Sequence, residues 1–297
     1  YGKFSMPPDL QFLVDATFDD STRTGRYRRG NPNLGFENST QYEFSLRLLP
    51  RPNLALRLGA YYKRLDGLVS SVPLGVNPDS SIFANSDYGT VKGFEILVTR
   101  PIVRGWGLQV SYVLQSANAT STNPFVREQL PSIDPITGDT VYPGRVEYPL
   151  DYDRRHALTA VFQSVLDPQA GPTLLGGHPL GRVETGLILR YASGLPYTLT
   201  NTAGDSLKSD INGLRLPSYT TFDLLVRKPI PFGNNFASIY LDIRNVFNVS
   251  TIQYVRQDTG TPFIDEDQIQ AQAQAAYDAH PEAIPYESPR YRAYADL

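Results

Sequence analysis

The sequence contains no cysteine, one methionine, one tryptophan and three histidines among its 297 residues. The absence of cysteine excludes disulfides, cysteine-ligated zinc, iron–sulfur clusters and thiol nucleophiles. No stretch approaches 18 consecutive apolar residues, which argues against membrane-spanning helices. Membrane-spanning strands stay possible, because their signal is weak in each segment.

The chain also has no large excess of positive or negative charge. The chain has 27 Lys and Arg against 30 Asp and Glu, a formal net charge of −3. Phosphate binding needs a basic face or stripe, so no nucleic-acid partner is expected. The chain opens Tyr1-Gly2-Lys3-Phe4, without an initiator methionine or a signal peptide. We therefore expect it to be part of a larger protein.

What the sequence does have is alternation of apolar and polar residues. In the segment 40–49, for example, Tyr42, Phe44 and Leu46 alternate with polar neighbours. A period of two is typical of strands, and strands of about ten residues, tilted by about 40°, rise roughly 25 Å, the height of the apolar band of an outer-membrane barrel. The pattern predicts a strand tail and eight strands at residues 1–4, 40–49, 54–64, 90–100, 107–116, 155–165, 182–192, 219–228 and 237–247.

The connections between these strands alternate between short and long. Residues 50–53, 101–106 and 229–236 are short and 166–181 is of medium length, whereas 65–89, 117–154, 193–218 and 248 onward are long. All long loops therefore lie on one edge of the sheet, as in membrane barrels. We predict an all-β fold that is an antiparallel portion of a transmembrane β-barrel, with long loops on one edge.

Two further features refine this prediction. Aromatic residues gather near strand ends and suggest interfacial girdles, formed by Tyr61, Tyr62, Tyr88, Tyr191, Tyr219 and Phe247 at the long-loop edge and by Trp106, Phe232 and Phe236 at the other. The alternative is the ordinary enrichment of aromatics in strands. Residues 265–283 are rich in Ala and Gln and predict one short helix, N-capped by Asp265, inside a long final loop at 249–297.

The sequence contains no motif that indicates a catalytic or metal-binding site. His156, His178 and His280 have no partners at metal-ligand spacing, and the acidic clusters at Asp15/Asp19/Asp20, Asp134/Asp139 and Asp265/Glu266/Asp267 do not fit the EF-hand pattern. His156 is better explained as a polar strand end than as an acid or base. We predict no catalytic, cofactor-binding or metal-binding residues, no cofactor and no enzyme activity.

Polar side chains occupy one face of the predicted strands. They form either the solvated outer face of a soluble sandwich or the lining of a wet barrel lumen. The residues are Arg57, Lys63, Glu95, Gln109, Gln115, Gln163, Glu184, Arg190, Asp223, Arg227, Asp242 and Arg244.

Several short motifs, in this order, resemble the C-terminal part of TonB-dependent outer-membrane receptors of the Oar-like group. They cover the chain from Tyr1 to about Asn248. They are Tyr1-Gly2-Lys3-Phe4 with Pro7-Pro8 and Gln11-Phe12-Leu13; Gly30-Asn31-Pro32-Asn33-Leu34 with Glu37 and Tyr42-Glu43; Asp87-Tyr88-Gly89 with Val91, Gly93 and Glu95; Leu150-Asp151-Tyr152-Asp153 with Arg155-His156; Arg215-Leu216-Pro217 with Asp223; and Leu241-Asp242-Ile243-Arg244-Asn245-Val246-Phe247-Asn248.

The resemblance implies a barrel of about 22 strands with a plugged lumen, of which this chain supplies about nine. Residues 1–248 would be strands and loops, and 249–297 a long loop with the helix, while the final strand, the plug domain and the TonB-contacting segment lie outside the chain. Expected partners are outer-membrane lipid, TonB through the N-terminal part, and a small nutrient of the siderophore, cobalamin or glycan class. Expected location is the Gram-negative outer membrane.

Two other possibilities stay open: an outer-membrane structural or adhesin-like barrel without active transport, and a soluble extended β-protein. Substrate contacts in such receptors come partly from long loops, where Tyr27, Tyr142, Tyr152 and Tyr197 lie. Each of these tyrosines is better explained by packing within its loop, and we do not predict them as a site.

Overall fold

The computed structural model describes most of the chain: residues 1–14, 27–74, 80–124, 132–133, 140–141, 145–174, 176–201, 207–232 and 235–262, with Gln274 and Asp278. Every predicted strand is present in a single antiparallel sheet in which each long strand pairs with the next one along the chain. We number these strands β1 (Gly2–Met6), β2 (Glu37–Arg51), β3 (Leu54–Pro73), β4 (Ser80–Val103), β5 (Trp106–Ala119), β6 (His156–Val165), β7 (Glu184–Ala192), β8 (Tyr219–Phe232) and β9 (Asn235–Ile243).

The remaining described elements are short. Tyr27–Arg29 pairs in parallel with the start of β4, and Tyr148–Pro149 pairs with the end of β5. A 3-10 turn at Leu10–Phe12 is capped by Asp9. Two small hairpins complete the described elements, Ser132–Ile133 with Thr140–Val141 and Pro196–Tyr197 with Leu214–Arg215.

The register gives the sheet two chemically different faces. One row of paired residues runs from Leu46 on β2 to Tyr191 on β7 through Leu58, Ile96, Tyr112 and Leu158. The next row, one residue along each strand, consists of Arg47, Arg57, Leu97, Ser111, Thr159, Arg190 and Thr221. We call these the apolar face and the polar face. The predicted polar residues on β3 to β9 share the second face, which confirms the predicted alternation.

The apolar face is exposed. Phe44 keeps 67% of its surface, and Leu46 and Leu48 keep about two fifths of theirs. Water-soluble monomers rarely present a contiguous apolar surface of this extent. An exposed apolar surface is stable in the hydrocarbon of a membrane, provided that the backbone groups are paired within the sheet.

The connection predicted at residues 65–89 is mostly strand, which corrects the sequence analysis. β3 has 20 residues and β4 has 24, about twice the predicted length, and they continue to pair above the apolar band as far as Pro73 and Ser81. A register shift beside Gly67, whose φ is +69°, marks where the extension begins. The extension has a core of its own, formed by Phe12, Val69 and Phe83 with Leu34 packed against it.

The opposite edge of the sheet, which we call the short-turn edge, has tight turns. Arg104 (φ 52°) and Gly105 (φ 83°) alone join β4 to β5. Positive φ at both positions of a two-residue turn matches the right-handed twist of the flanking strands. The links 120–155 and 193–218 both lie at the other edge, which we call the long-loop edge, so the predicted sorting of loops is confirmed.

The chain divides into two compact units. The first comprises Tyr1–Thr198 and Ser209–Thr251 and contains the sheet. The second comprises Leu199–Lys208 and Ile252–Leu297. Within it, the Thr200 amide donates to the Gln257 carbonyl at 2.7 Å, and the hydrogen bond from the Arg256 guanidinium lowers the pKa of the Asp258 carboxyl.

The predicted helix at 265–283 falls in the second unit. Gln274 and Asp278 are helical, and the Gln274 side chain donates to the Asp278 carboxylate at 2.8 Å, the i, i+4 spacing of a helix. The rest of that prediction, including Asp265, lies outside the described residues, as does the segment from 279 to the C-terminus. In the described part of the chain, no helix is both long and apolar enough to cross a membrane.

Candidate functional site

A buried carboxylate organises the long-loop edge. Asp153 has no exposed surface and accepts the Ala117 amide of β5 at 2.9 Å. The Arg215 guanidinium, 62 residues along the chain, donates both to that carboxylate and, at 2.8 Å, to the Asp153 carbonyl. Arg155 adds a second positive charge 3.6 Å from the same carboxylate. A charge buried this deeply is tolerated only when paired and hydrogen-bonded, as it is here.

The two long loops are joined at a second point beside Asp153. The Asn212 amide donates to the Pro149 carbonyl at 2.8 Å and to the Asp151 carboxylate at 2.6 Å. Gly194 lies directly against the backbone of Leu216, so a Cβ at Gly194 would be 1.7 Å from the Leu216 carbonyl oxygen. We call Asp151, Asp153, Arg155, Asn212 and Arg215 the rim network. It fixes the bases of the loops 120–155 and 193–218 to one another.

A further buried carboxylate ties the start of the first of these loops to β4. Asp87, with 2% of its surface exposed, accepts the hydroxyls of Thr120, at 2.9 Å, and Ser121. Burial raises the pKa of the nearby Tyr148 hydroxyl. At the long-loop edge, therefore, loop backbone is held by side chains as well as by the short strand Tyr148–Pro149.

Ion pairs link neighbouring strands on the polar face. Arg190 of β7 pairs with Asp223 of β8, which also accepts the Asn245 amide at 2.8 Å. Nearer the short-turn edge, Arg227 of β8 lies 3.5 Å from Glu184 of β7. Mixed, mutually compensated charges of this kind suit a water-filled interior.

On β3 to β5 the polar face contains an aromatic ring packed across a glycine. The Tyr61 ring covers Gly93 so closely that a Cβ at Gly93 would lie 2.5 Å from it. The Tyr61 hydroxyl donates to the Gln115 side chain at 3.2 Å, so the ring spans three strands. The absence of a side chain at Gly93 is what allows this arrangement.

Replacing Gly93 by alanine is expected to displace Tyr61 and to lower the free energy of unfolding by about 1–3 kcal/mol, the usual cost of overpacking. Gly186→Ala is the matched control, because a Cβ there meets nothing nearer than 3.7 Å. Denaturant unfolding of the full-length receptor in phospholipid vesicles measures both. Equal effects of the two substitutions would contradict this account of the Tyr61 site.

Comparison with known proteins decides the family. The profile "TonB dependent receptor-like, beta-barrel" matches residues 3–246, most of the chain. The chain belongs to the TonB-dependent receptor family. No curated protein sequence gives a significant match.

Solved structures of outer-membrane transporters have the same fold as this receptor chain. The outer membrane transporter YddB from Escherichia coli matches with a TM-score of 0.54 at 12% identity, over 80% of this chain and 32% of its own. The FrpB iron transporter (F3-3 variant) from Neisseria meningitidis gives 0.52 at 13% identity, over 83% and 32%. The ferric-catecholate import receptor Fiu from Escherichia coli K12 gives 0.51 at 16% identity, over 87% and 29%. This chain thus spans about a third of the length of those proteins.

Family membership fixes the surroundings of the two faces. The receptor lies in the Gram-negative outer membrane, with its apolar face toward lipid and its polar face toward the barrel interior. The short-turn edge is the periplasmic edge and the long loops are extracellular. The family is one of receptors and transporters rather than enzymes.

The structure assigns roles to the motifs that carried the resemblance. Asp153 and Arg215, from two different motifs, meet in the rim network. Asp87 holds the start of the loop 120–155 by accepting the Thr120 hydroxyl. Asp223 accepts the backbone amide of Asn245, in the turn that follows β9. These motif residues position backbone at the extracellular edge.

The interfacial girdles require a correction. Tyr62, Tyr191 and Trp106 are in register with the apolar face, and Trp106 stacks on Phe162 at 6.3 Å. Tyr61 and Tyr219 lie on the polar face instead, because they are offset by one residue from that register. The side chains of Phe232 and Phe236 lie outside the described residues.

Two of the four loop tyrosines have side chains that the structure describes, Tyr152 and Tyr197. Tyr152 is 62% exposed, and burial of the remainder of its surface raises the pKa of its hydroxyl. Tyr197 is half-buried in the small hairpin with Leu214. Tyr142 and the side chain of Tyr27 lie outside the described residues.

The two histidines in the described part of the chain each contact a single neighbouring group. His156 begins β6 and its Nδ1 lies 2.9 Å from the Tyr112 hydroxyl, as a polar strand end, while His178 lies 3.3 Å from the Gly171 carbonyl. His280 and the three acidic clusters lie outside the described residues. No group of three potential ligands that could hold a metal ion occurs among the residues that the structure describes.

Proposed function

We propose that the receptor containing this chain is an active transporter that takes up a scarce nutrient of the siderophore, cobalamin or glycan class. In this proposal the chain forms the C-terminal part of the barrel. The plug domain and the segment that contacts TonB belong to parts of the receptor outside this chain. TonB supplies the energy for uptake through that segment.

The observation that carries the proposal is the two-faced sheet of a TonB-dependent receptor. Its interior-facing charges compensate one another between β7 and β8. A polar interior with compensated charges suits the passage of a polar solute along the barrel. The rim network supports the proposal in a second way, because it holds two extracellular loops in fixed positions where a nutrient first arrives.

Uptake by cells tests the proposal. The full-length gene product is expressed in a Gram-negative host, with and without TonB, and offered labelled nutrients of the three classes. The names of FrpB and Fiu put ferric chelates first in that panel. We expect accumulation of one class that is abolished when TonB is deleted.

A receptor that binds cells or surfaces equally well without TonB, and accumulates none of the three classes, would instead indicate the adhesin-like alternative. The Gly186→Ala variant, which leaves the polar face unaltered in charge, controls for expression of a correctly folded barrel.

A further inference from the structure

Two neighbouring strands of the barrel wall present no charge to the interior. Among the described residues of the polar face, those of β5 and β6 are all uncharged, whereas each of the strands β2 to β4 and β7 to β9 has at least one charged residue there. We call the middle of this part the uncharged sector. It consists of three directly opposed pairs, Gln109 with Val161, Ser111 with Thr159, and Val113 with Ala157.

The strands on one side of the uncharged sector carry charges that the described chain does not pair. These residues lie on the polar face of β2 to β4 and are Glu43, Arg47, Arg57, Lys63 and Glu95. None of the five forms an ion pair with a residue that the structure describes. Arg47 and Arg57 lie directly opposite one another, and directly opposed like charges are destabilising. These charges are therefore available to a polar group inside the barrel.

The charges on the other side of the uncharged sector are already paired with one another. Arg190 of β7 lies beside Thr159 on the polar face and forms its ion pair with Asp223 of β8. Glu184 of β7 lies 3.5 Å from Arg227 of β8. The strands β7 and β8 therefore satisfy their own charges, in contrast to β2 to β4.

The extracellular end of the uncharged sector meets the rim network. The Gln115 amide of β5 donates to the Arg155 carbonyl at 3.0 Å, and the Ala117 amide donates to the Asp153 carboxylate at 2.9 Å. The Arg155 guanidinium lies 3.6 Å from that carboxylate and is paired with it. Because the rim network fixes the bases of two long loops, those loops are held at the head of β5 and β6, the two strands of the uncharged sector.

The strength of the contacts that the wall can make differs around the lumen. A hydrogen bond that involves a charged group is about twice as strong as one between neutral groups. A domain that fills the lumen is therefore bound most firmly by β2 to β4, where unpaired charges face it. It is bound least firmly at the uncharged sector, where the valine and alanine side chains neither donate nor accept hydrogen bonds.

We propose that the passage for the nutrient opens between the plug domain and the uncharged sector, while the plug domain stays bound to β2 to β4. This passage rests on the proposed function and specifies the side of the lumen along which the nutrient moves. The side chains of Gln109, Ser111 and Thr159 exchange hydrogen bonds with a moving solute, and the sector has no charge that would retain it. Conduction requires contacts of this weak kind.

Cysteine accessibility during uptake tests the position of the passage. The full-length receptor, otherwise free of cysteine, carries Ser111→Cys or Thr159→Cys and is expressed in porin-deficient cells with and without TonB. Nutrients of the three classes are supplied together, and a membrane-impermeant maleimide is added outside the cells. We expect both cysteines to react several-fold faster in cells that have TonB. The attached maleimide should then lower uptake several-fold, because it obstructs the passage.

Ser45→Cys is the matched control, because Ser45 lies on the same face but on β2, between Glu43 and Arg47. Its cysteine should react slowly with or without TonB, and uptake should be unaltered after treatment. A passage at the uncharged sector is contradicted if, in a receptor that accumulates a nutrient, Ser45→Cys reacts as fast as the other two variants, or if no variant depends on TonB. A receptor that accumulates no nutrient overturns the proposed function, and the passage with it.

Heat-modifiable gel migration verifies that each variant is folded. If Thr159→Cys is not folded, Ser111→Cys takes its place, since Ser111 lies directly opposite on β5. Equal rates of reaction in Ser111→Cys and Ser45→Cys then overturn the proposal.

Discussion

Asp153→Ala is expected to lower the free energy of unfolding by about 3–5 kcal/mol, the cost of breaking a buried ion pair from one side. The substitution removes the acceptor of the Ala117 amide and leaves the Arg215 guanidinium without its carboxylate. Because Arg215 is 27% exposed, water partly solvates the orphaned charge, so the lower end of that range is the expected value. The measurement is denaturant unfolding of the full-length receptor in phospholipid vesicles.

The same variant should loosen both extracellular loops, because the rim network holds their bases together. Limited proteolysis of intact cells is expected to cleave within 120–155 and 193–218 at least several-fold faster than in wild type. Asp66→Ala is the matched control, since Asp66 pairs with Arg64 at 2.9 Å but both side chains are exposed. Such pairs contribute at most about 1 kcal/mol. Equal effects of Asp153→Ala and Asp66→Ala would show that the rim network does not stabilise the loops.

Val110→Arg is expected to cost about 2–4 kcal/mol, the penalty for an arginine on the lipid face near the bilayer midplane. Val110 lies near the middle of the membrane part of β5 and is paired on either side with Val98 and Ala160, all on the apolar face. We expect a large fall in the amount of heat-modifiable, folded receptor in outer-membrane fractions.

The neighbouring Ser111→Arg supplies the control for that prediction. Ser111 pairs with Leu97 and Thr159 on the polar face, where a charge stays hydrated. Its cost is expected to be below about 1 kcal/mol, as for a lumen substitution. If Ser111→Arg were as damaging as Val110→Arg, or more so, the assignment of the two faces would be inverted.

The strands and their two faces were predictable from sequence because the membrane imposes the alternation. Phe44, Leu46 and Leu48 must each meet lipid, whereas Ser45 and Arg47 between them must not. The sorting of loops by length follows from the same geometry. These two constraints act locally, within about ten residues, and so they can be found without knowledge of tertiary contacts.

The extension of β3 and β4 could not be predicted in this way. Above the membrane band both faces of the hairpin meet protein or water, and the period of two is lost. Ser70 and Ser71 are fully buried there, and Ser71 donates to Ser81 at 2.9 Å. Phe12, far back in the sequence, covers Phe83 at a ring separation of 4.9 Å and completes the small core of this segment.

The rim network was missed for a similar reason. Asp153 and Arg215 are 62 residues apart, and each looks like an ordinary loop charge in its own segment. The motifs Leu150-Asp151-Tyr152-Asp153 and Arg215-Leu216-Pro217 were the available signal, and they indicated a family rather than a contact. Only the three-dimensional course of the two loops reveals that these motifs bind one another.

The two-faced membrane sheet is the central claim, and spin labels on β5 test it most directly. The chain contains no cysteine, so single cysteines at positions 108 to 113 of the full-length receptor can carry a nitroxide without competition from within this segment. In lipid vesicles, we predict that labels at Leu108, Val110 and Tyr112 collide preferentially with oxygen dissolved in the bilayer. Labels at Gln109, Ser111 and Val113 should be shielded from the lipid phase. Collision rates without a period of two, or with the opposite phase, would contradict the account.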